Sequence, residues 1–184
     1  MTDLRTQTLW YPMRVTYNRE LKVKENLERQ GIETFLPVTN KLIERNGHRK
    51  FELVPAIHNL LFVHSTRERL TDLKMTDEDF SPLRYMMTRP LDPTARPEVI
   101  HIPDREMQNF IRVASLTDDR VLFLDYAAVA NKVGRRVIIV DGDFAGIEGV
   151  VKRIQKNRHV VVQLEGVAAV ALAFVPPAHL RFLE

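Results

Sequence analysis

An α+β fold followed by a small all-β unit is the architecture the sequence predicts. Three observations carry it. Strand-like and helix-like patterns alternate up to about Ala114. The pattern from Val133 onward is all β. Five of the seven glycines lie beyond Lys132. An antiparallel sheet with helices on its faces accounts for the first part. Short strands closed into a small barrel, which removes exposed edges, account for the second.

The elements follow in order. Leu9–Thr16 is rich in aromatic and β-branched residues and reads as a strand, with Pro12 marking an edge or bulge. Asn18 is the expected N-cap of a helix over Arg19–Gln30, closed by Gly31, with Val23 and Leu27 inward. Ile32–Pro37 alternates as a strand. Asn46-Gly47 is a strong hairpin signal between Lys41–Arg45 and Arg49–Val54. Leu60–Val63 is a wholly apolar strand. A short helix over Arg67–Lys74 precedes a solvated acidic turn at Asp77-Glu78-Asp79, and Leu83–Thr88 is a further strand. Pro90, Pro93 and Pro97 mark a loop, and Val99–Ile102 is β-prone. Asp104 opens a helix whose Met107, Phe110, Ile111 and Ala114 keep helical spacing. Residues 116–132 form a connector, but its Val121–Leu124 patch is too apolar for a free tether and is expected to pack. Five strands then follow: Arg135–Val140, Gly149–Ile154, His159–Leu164, Val167–Val175 and Leu180–Leu183. The turns between them fall at Asp141-Gly142-Asp143, Lys156-Asn157-Arg158, Glu165-Gly166 and Pro176-Pro177. The expected domains are therefore residues 8–115 and 133–184.

Charge narrows the function classes. The 27 basic and 24 acidic side chains leave a net +3. Residues 1–133 hold 20 basic and 19 acidic, and residues 134–184 hold 7 and 5. Neither part has the field of a protein that binds nucleic acid by charge alone. Two basic clusters stand out, Lys41 to Lys50 around one turn and Lys152 to His159 around another. The absence of cysteine removes disulfide scaffolds, zinc ribbons and thiol nucleophiles. No apolar run reaches membrane-spanning length and the N-terminus lacks signal-peptide architecture, so a cytoplasmic protein is expected.

Tests for chemistry fail in turn. Asp141, Asp143 and Gly146 mimic a calcium loop, but Lys152 stands where the bidentate acid belongs. Gly142, Gly146 and Gly149 are followed by no Gly-Lys-Ser/Thr and make no phosphate loop. His58 and His64 are about 20 Å apart along an extended chain, too far for one metal. No catalytic residues, cofactor or metal are expected.

Two stretches carry a family resemblance. Gly134-Arg-Arg-Val137-Ile-Ile-Val140-Asp-Gly142-Asp-Phe144-Ala-Gly146-Ile-Glu148-Gly149 resembles the KOW motif, with Gly142, Phe144, Gly146 and Gly149 as its signature. Leu9-Trp10-Tyr11, then Lys22-Val23, Leu27 and Gly31-Ile32-Glu33 through Phe35-Leu36-Pro37, resemble the N-terminal domain of NusG transcription factors. The resemblance implies an NGN domain and an SH3-like KOW barrel. It implies an elongation and antitermination factor, not an enzyme, whose first domain holds the RNA polymerase clamp. The KOW domain would recruit a ribosomal protein or a termination factor.

Housekeeping members carry Phe-Pro-Gly-Tyr where this chain reads Ile57-His58-Asn59-Leu60-Leu61-Phe62-Val63. With the helix entry Ile102-Pro103-Asp104-Arg105-Glu106-Met107, this looks like the UpxY-type antiterminators of capsular polysaccharide loci. By position, Trp10, Pro12, Ile57, Leu60 and Phe62 would contact polymerase. Ile57 and Leu60, flanking His58-Asn59, are expected at the surface. Arg67, Lys74 and Arg84 would steer the nontemplate DNA strand. A monomer with no membrane association follows. The competing expectation is a ribosome- or RNA-binding KOW protein acting through its basic hairpins.

Overall fold

The structure, a computed structural model, describes residues 4–92, 94–117, 119–173 and 175–184. Pro93, Asp118 and Phe174, parts of the expected loop, connector and fourth late strand, lie outside the described residues. In chain order the elements are β1 (Thr8–Val15), α1 (Glu20–Arg29), β2 (Glu33–Phe35), β3 (Val38–Arg45), β4 (His48–Pro55) and β5 (Leu60–Thr66). Next come α2 (Arg67–Thr76), β6 (Leu83–Tyr85), α3 (Asp104–Ala114), β7 (Val121–Leu124) and α4 (Tyr126–Ala130). The last are β8 (Arg135–Ile139), β9 (Glu148–Ile154), β10 (Asn157–Leu164), β11 (Ala168–Leu172) and β12 (Leu180–Phe182). The chain divides into two compact units, Met1–Leu36 with Ile57–Asp104, and Pro37–Ala56 with Arg105–Glu184.

The first unit is built on an antiparallel sheet in the order β2-β5-β1-β6. Its core includes Met13, Leu61, Val63 and Leu83 from the strands and Val23, Leu27 and Leu70 from the helices. Val23 and Leu27 are buried as their spacing predicts. The start of α1 differs from expectation. Asn18 does not cap it; Tyr17 and Asn18 take left-handed φ of 65° and 54° in a short 3-10 turn. The carboxylate of Glu20, 3% exposed, instead accepts the Asn59 backbone N–H at 2.8 Å and ties the helix start to the entry of β5. α2 has a side-chain cap, Thr66 Oγ1 accepting from Arg69 N. Val99–Ile102 forms only isolated bridges, Met87 to Val99 and Trp10 to Ile102, in place of the expected strand.

The second unit contains the β3–β4 hairpin, residues 105–114 of α3, and a six-stranded sheet in the order β12-β8-β9-β10-β11-β7. The hairpin turns at Asn46 and Gly47, both with positive φ, as the dipeptide predicts. Val121–Leu124 packs, as its apolar character requires, by pairing as β7 along β11. α4, capped by the Asp125 side chain, is an element the sequence pattern does not signal. A core of Val129, Ile154, Val161, Ala169 and Ala171 joins α4 to the sheet.

The glycines of the second unit divide by cause. Gly142 and Gly146 have φ of 81° and 88° and make a turn that a Cβ would strain. Gly149 is not a turn residue. It lies inside β9, where a Cβ would sit 2.8 Å from Val160 Cγ1 and 2.9 Å from the Val161 carbonyl oxygen. The β9–β10 turn also shifts from expectation. Its central residues are Gln155 and Lys156, while Asn157 and Arg158 already belong to β10.

Candidate functional site: a sheet face and a basic cluster

Register decides which candidate residues share a face. In the β1–β5 ladder Trp10 opposes His64, Pro12 opposes Phe62 and Arg14 opposes Leu60. Side chains directly opposite lie on the same side of a sheet, and so do residues two apart. Trp10, Pro12, Leu60 and Phe62 therefore occupy one face, continued by Phe35 opposite Phe62. Phe35 and Phe62 rings approach to 6.2 Å. The indole of Trp10 stacks on His64. That imidazole meets Glu33 Oε2 through Nδ1 at 2.8 Å and Asp104 Oδ1 through Nε2 at 3.5 Å.

Exposure separates the five residues. Trp10 is 1% exposed, and Leu60 and Phe62 are fully buried. Pro12 is buried and Ile57 is half-buried. Leu60 is thus not the surface residue its polar neighbours predict: β5 begins there, and its side chain enters the sheet.

Of Arg67, Lys74 and Arg84, the first two converge on the ring of Tyr85. The Arg67 guanidinium carbon lies 5.9 Å and the Lys74 ammonium 4.6 Å from its centroid. Tyr85 Oη donates to the Arg67 carbonyl at 3.1 Å and also meets Thr71 Oγ1 at 3.1 Å. Arg84, next in the chain, donates to the carbonyls of Ser81 and Leu83. Burial, then the positive charge of Arg84, lowers the pKa of Lys74. Burial raises that of Tyr85. Tyr85 is the member that sequence reading misses; the T-shaped contact with Tyr11, at 6.1 Å, fixes its place.

In the second unit, Gly142, Phe144 and Gly146 build one turn, whose Asp143 and Ala145 carbonyls accept from Arg112 of α3. Arg120 sits over the Phe144 ring at 5.8 Å. An apolar strip on the β3–β4 hairpin also escapes the sequence pattern. Leu42 opposes Phe51, and Leu53 lies two residues further along the same face; the three are 49%, 71% and 57% exposed.

Among the described residues no group of three or more His, Cys, Asp or Glu side chains is placed to hold a metal. None of their helices is long and apolar enough to cross a membrane. The geometry defines an α+β unit with an aromatic sheet face and a cationic cluster, and a β-rich unit. Residues 8–111 match the family model described as NusG, transcription termination factor nusG. The chain belongs to the NusG family of transcription factors, which are not enzymes. No curated protein matches it.

Proposed function

We propose that the chain is a specialised antitermination factor that binds the RNA polymerase clamp and favours read-through of a long operon. The observation that carries the reading is the sheet face on which register aligns Trp10, Pro12, Leu60 and Phe62. Ile57, half-buried just before β5, presents contact surface. The four buried residues belong to the sheet that Ile57 precedes. Binding of this kind stabilises an elongation-competent clamp by shifting conformational populations.

Further assignments belong to the same proposal. Residues 8–115 act as the polymerase-binding domain and 133–184 as the KOW domain, joined by 116–132. Strands β8 to β12 act as an SH3-like barrel with Gly142, Phe144, Gly146 and Gly149 as its motif, a reading supported by their antiparallel succession in the sheet β12-β8-β9-β10-β11-β7. This domain engages a ribosomal protein or a termination factor. Arg67, Lys74 and Arg84 contact the nontemplate strand, a reading supported by the approach of Arg67 and Lys74 to the Tyr85 ring. The Ile57–Val63 sequence and the Ile102–Met107 helix entry support the UpxY subtype and a capsular polysaccharide operon as target. The protein acts as a cytoplasmic monomer.

Retention of polymerase by the full chain tests the reading. Ile57→Asp is expected to weaken retention at least tenfold while the chain stays folded, its unfolding midpoint falling only by the cost of a half-buried apolar side chain. Undiminished binding by folded Ile57→Asp removes Ile57 from the interface. Binding should persist as salt rises, since the contact is apolar; collapse with salt marks a charge-driven RNA contact instead.

A further inference from the structure

The β9–β10 turn combines two unfavourable features. The first is charge. Arg153 and Arg158 are Cα partners across the ladder, and both are exposed. Like charges directly opposite in a hairpin repel. Lys156 adds a third exposed cation at the turn itself. Among the described residues none of the three has an ion-pair partner.

The second feature is backbone strain. Gln155 and Lys156 have φ of 46° and 71°. Side chains with a Cβ resist that region, and two-residue turns of this kind favour Asn-Gly. This chain uses that favoured pair elsewhere: Asn46 and Gly47 turn the β3–β4 hairpin with φ of 52° and 77°. The same backbone problem thus has a relaxed solution in one hairpin and a strained, cationic one in the other.

We propose that the β9–β10 turn is a contact site for the phosphate backbone of single-stranded nucleic acid, held by Arg153, Lys156 and Arg158. Guanidinium groups match phosphate oxygens in a bidentate fork, and bound phosphates relieve the cross-strand repulsion. The exposed amides of Gln155 and Asn157 flank the cations and can bond unpaired base edges. A protein partner fits poorly. No large apolar side chain is exposed between Glu148 and Glu165, so the patch lacks the apolar centre of a protein interface. The β3–β4 hairpin, with Leu42, Phe51 and Leu53 exposed, has that character instead. Without an aromatic platform at the turn, binding is indifferent to base sequence and to the sugar. The site is independent of the polymerase contact proposed above.

The experiment is fluorescence anisotropy of the full chain with labelled 12-nucleotide RNA and DNA single strands across a salt series. Wild type should bind both equally. Combined Arg153→Gln, Lys156→Gln and Arg158→Gln should make the log K against log salt slope shallower by roughly 2, since each phosphate no longer neutralised removes about 0.7. Arg153→Lys with Arg158→Lys keeps the charge and should keep the slope. The glutamine variant's circular dichroism and its polymerase retention should match wild type, which separates this site from the polymerase face. The proposal is overturned if the folded glutamine variant retains the wild-type slope. It is equally overturned if wild type binds neither strand, if only neutralising Arg67, Lys74 and Arg84 abolishes binding, or if a polyglutamate peptide binds as tightly as RNA.

Discussion

Trp10 and His64 stack face to face, with ring centroids 4.7 Å apart and planes within 8°. The pair joins β1 to β5 at directly opposed positions, and the Trp10 carbonyl also accepts from Ile102 N at 2.8 Å. An aromatic so enclosed contributes chiefly to folding. Trp10→Ala is expected to cost about 3–5 kcal/mol in urea denaturation. Trp10 is the only tryptophan, so its fluorescence reports the unfolding of the first unit directly. A cost under about 1 kcal/mol would mean that this face is not core. With Trp10 in the core, loss of polymerase binding by Trp10→Ala reflects unfolding, whereas folded Ile57→Asp tests contact.

Two glycines of the second unit are required by proximity rather than by φ. A Cβ on Gly134 would lie 2.5 Å from both Val150 Cγ1 and the Val151 carbonyl oxygen. The corresponding distances at Gly149 are 2.8 Å and 2.9 Å, to Val160 Cγ1 and the Val161 oxygen. A valine rotamer can yield, but the backbone oxygen sits in the sheet. Gly134→Ala and Gly149→Ala should each destabilise by about 1–3 kcal/mol, Gly134→Ala the more, as read by circular dichroism during urea unfolding. Gly142→Ala meets no atom closer than 3.6 Å and should lose only about 1–2 kcal/mol, from its φ of 81°. A larger loss at Gly142 than at Gly134 would contradict the packing argument.

How much of the fold is legible in the sequence follows from how local each signal is. The β3–β4 hairpin, α1, α2 and α3 are readable because their cues lie within a few residues: Asn46-Gly47, Val23 with Leu27, and the spacing of Met107, Phe110 and Ala114. Features set by distant partners are not. Leu60 looks like a surface residue beside His58 and Asn59, yet pairing with β1 draws it inward. Gly149 looks like one more turn glycine until β10 is placed beside it. The β9–β10 turn is misplaced from sequence because Asn157 has the stronger turn propensity, while register puts Gln155 and Lys156 at the apex. Of the candidate sites, Arg67, Lys74 and Arg84 can be named from sequence. The meeting of Arg67 and Lys74 at Tyr85 requires the fold.

Lys152 carries a pH dependence. Its side chain is 4% exposed, and Nζ donates to the Val129 carbonyl at 2.7 Å. Burial holds its pKa below the ordinary 10.5, and Lys132 acts in the same direction. Below the folded-state pKa both states are protonated, and the burial penalty is fully present. Between that pKa and 10.5 the folded state has released a proton that the unfolded chain still holds, so stability rises with pH. Lys152→Met should therefore be more stable than wild type at neutral pH by on the order of 1 kcal/mol, because it removes a buried charge. The Val129 carbonyl keeps the Lys132 N–H at 3.1 Å, so the substitution orphans no acceptor. The difference between the two proteins should shrink as pH approaches 10.5. A constant gap across that range would remove proton release from Lys152 as its cause.

The β9–β10 turn gives a prediction of opposite sign from most substitutions. Lys156 at φ 71° holds a conformation that costs a side-chain-bearing residue about 1–2 kcal/mol relative to glycine. Lys156→Gly should raise stability by about 1 kcal/mol, since glycine's greater unfolded-state freedom offsets part of the relief. It also removes one of three clustered cations, which should lower repulsion further at low salt. Gln155→Asn with Lys156→Gly recreates the Asn-Gly pair of the β3–β4 hairpin and should be the most stable of the set. Thermal unfolding at low and high salt separates the contributions: the strain relief persists in high salt, while the charge relief fades. If Lys156→Gly lowers the midpoint under both conditions, the turn is relaxed as it stands and its lysine contributes to the fold.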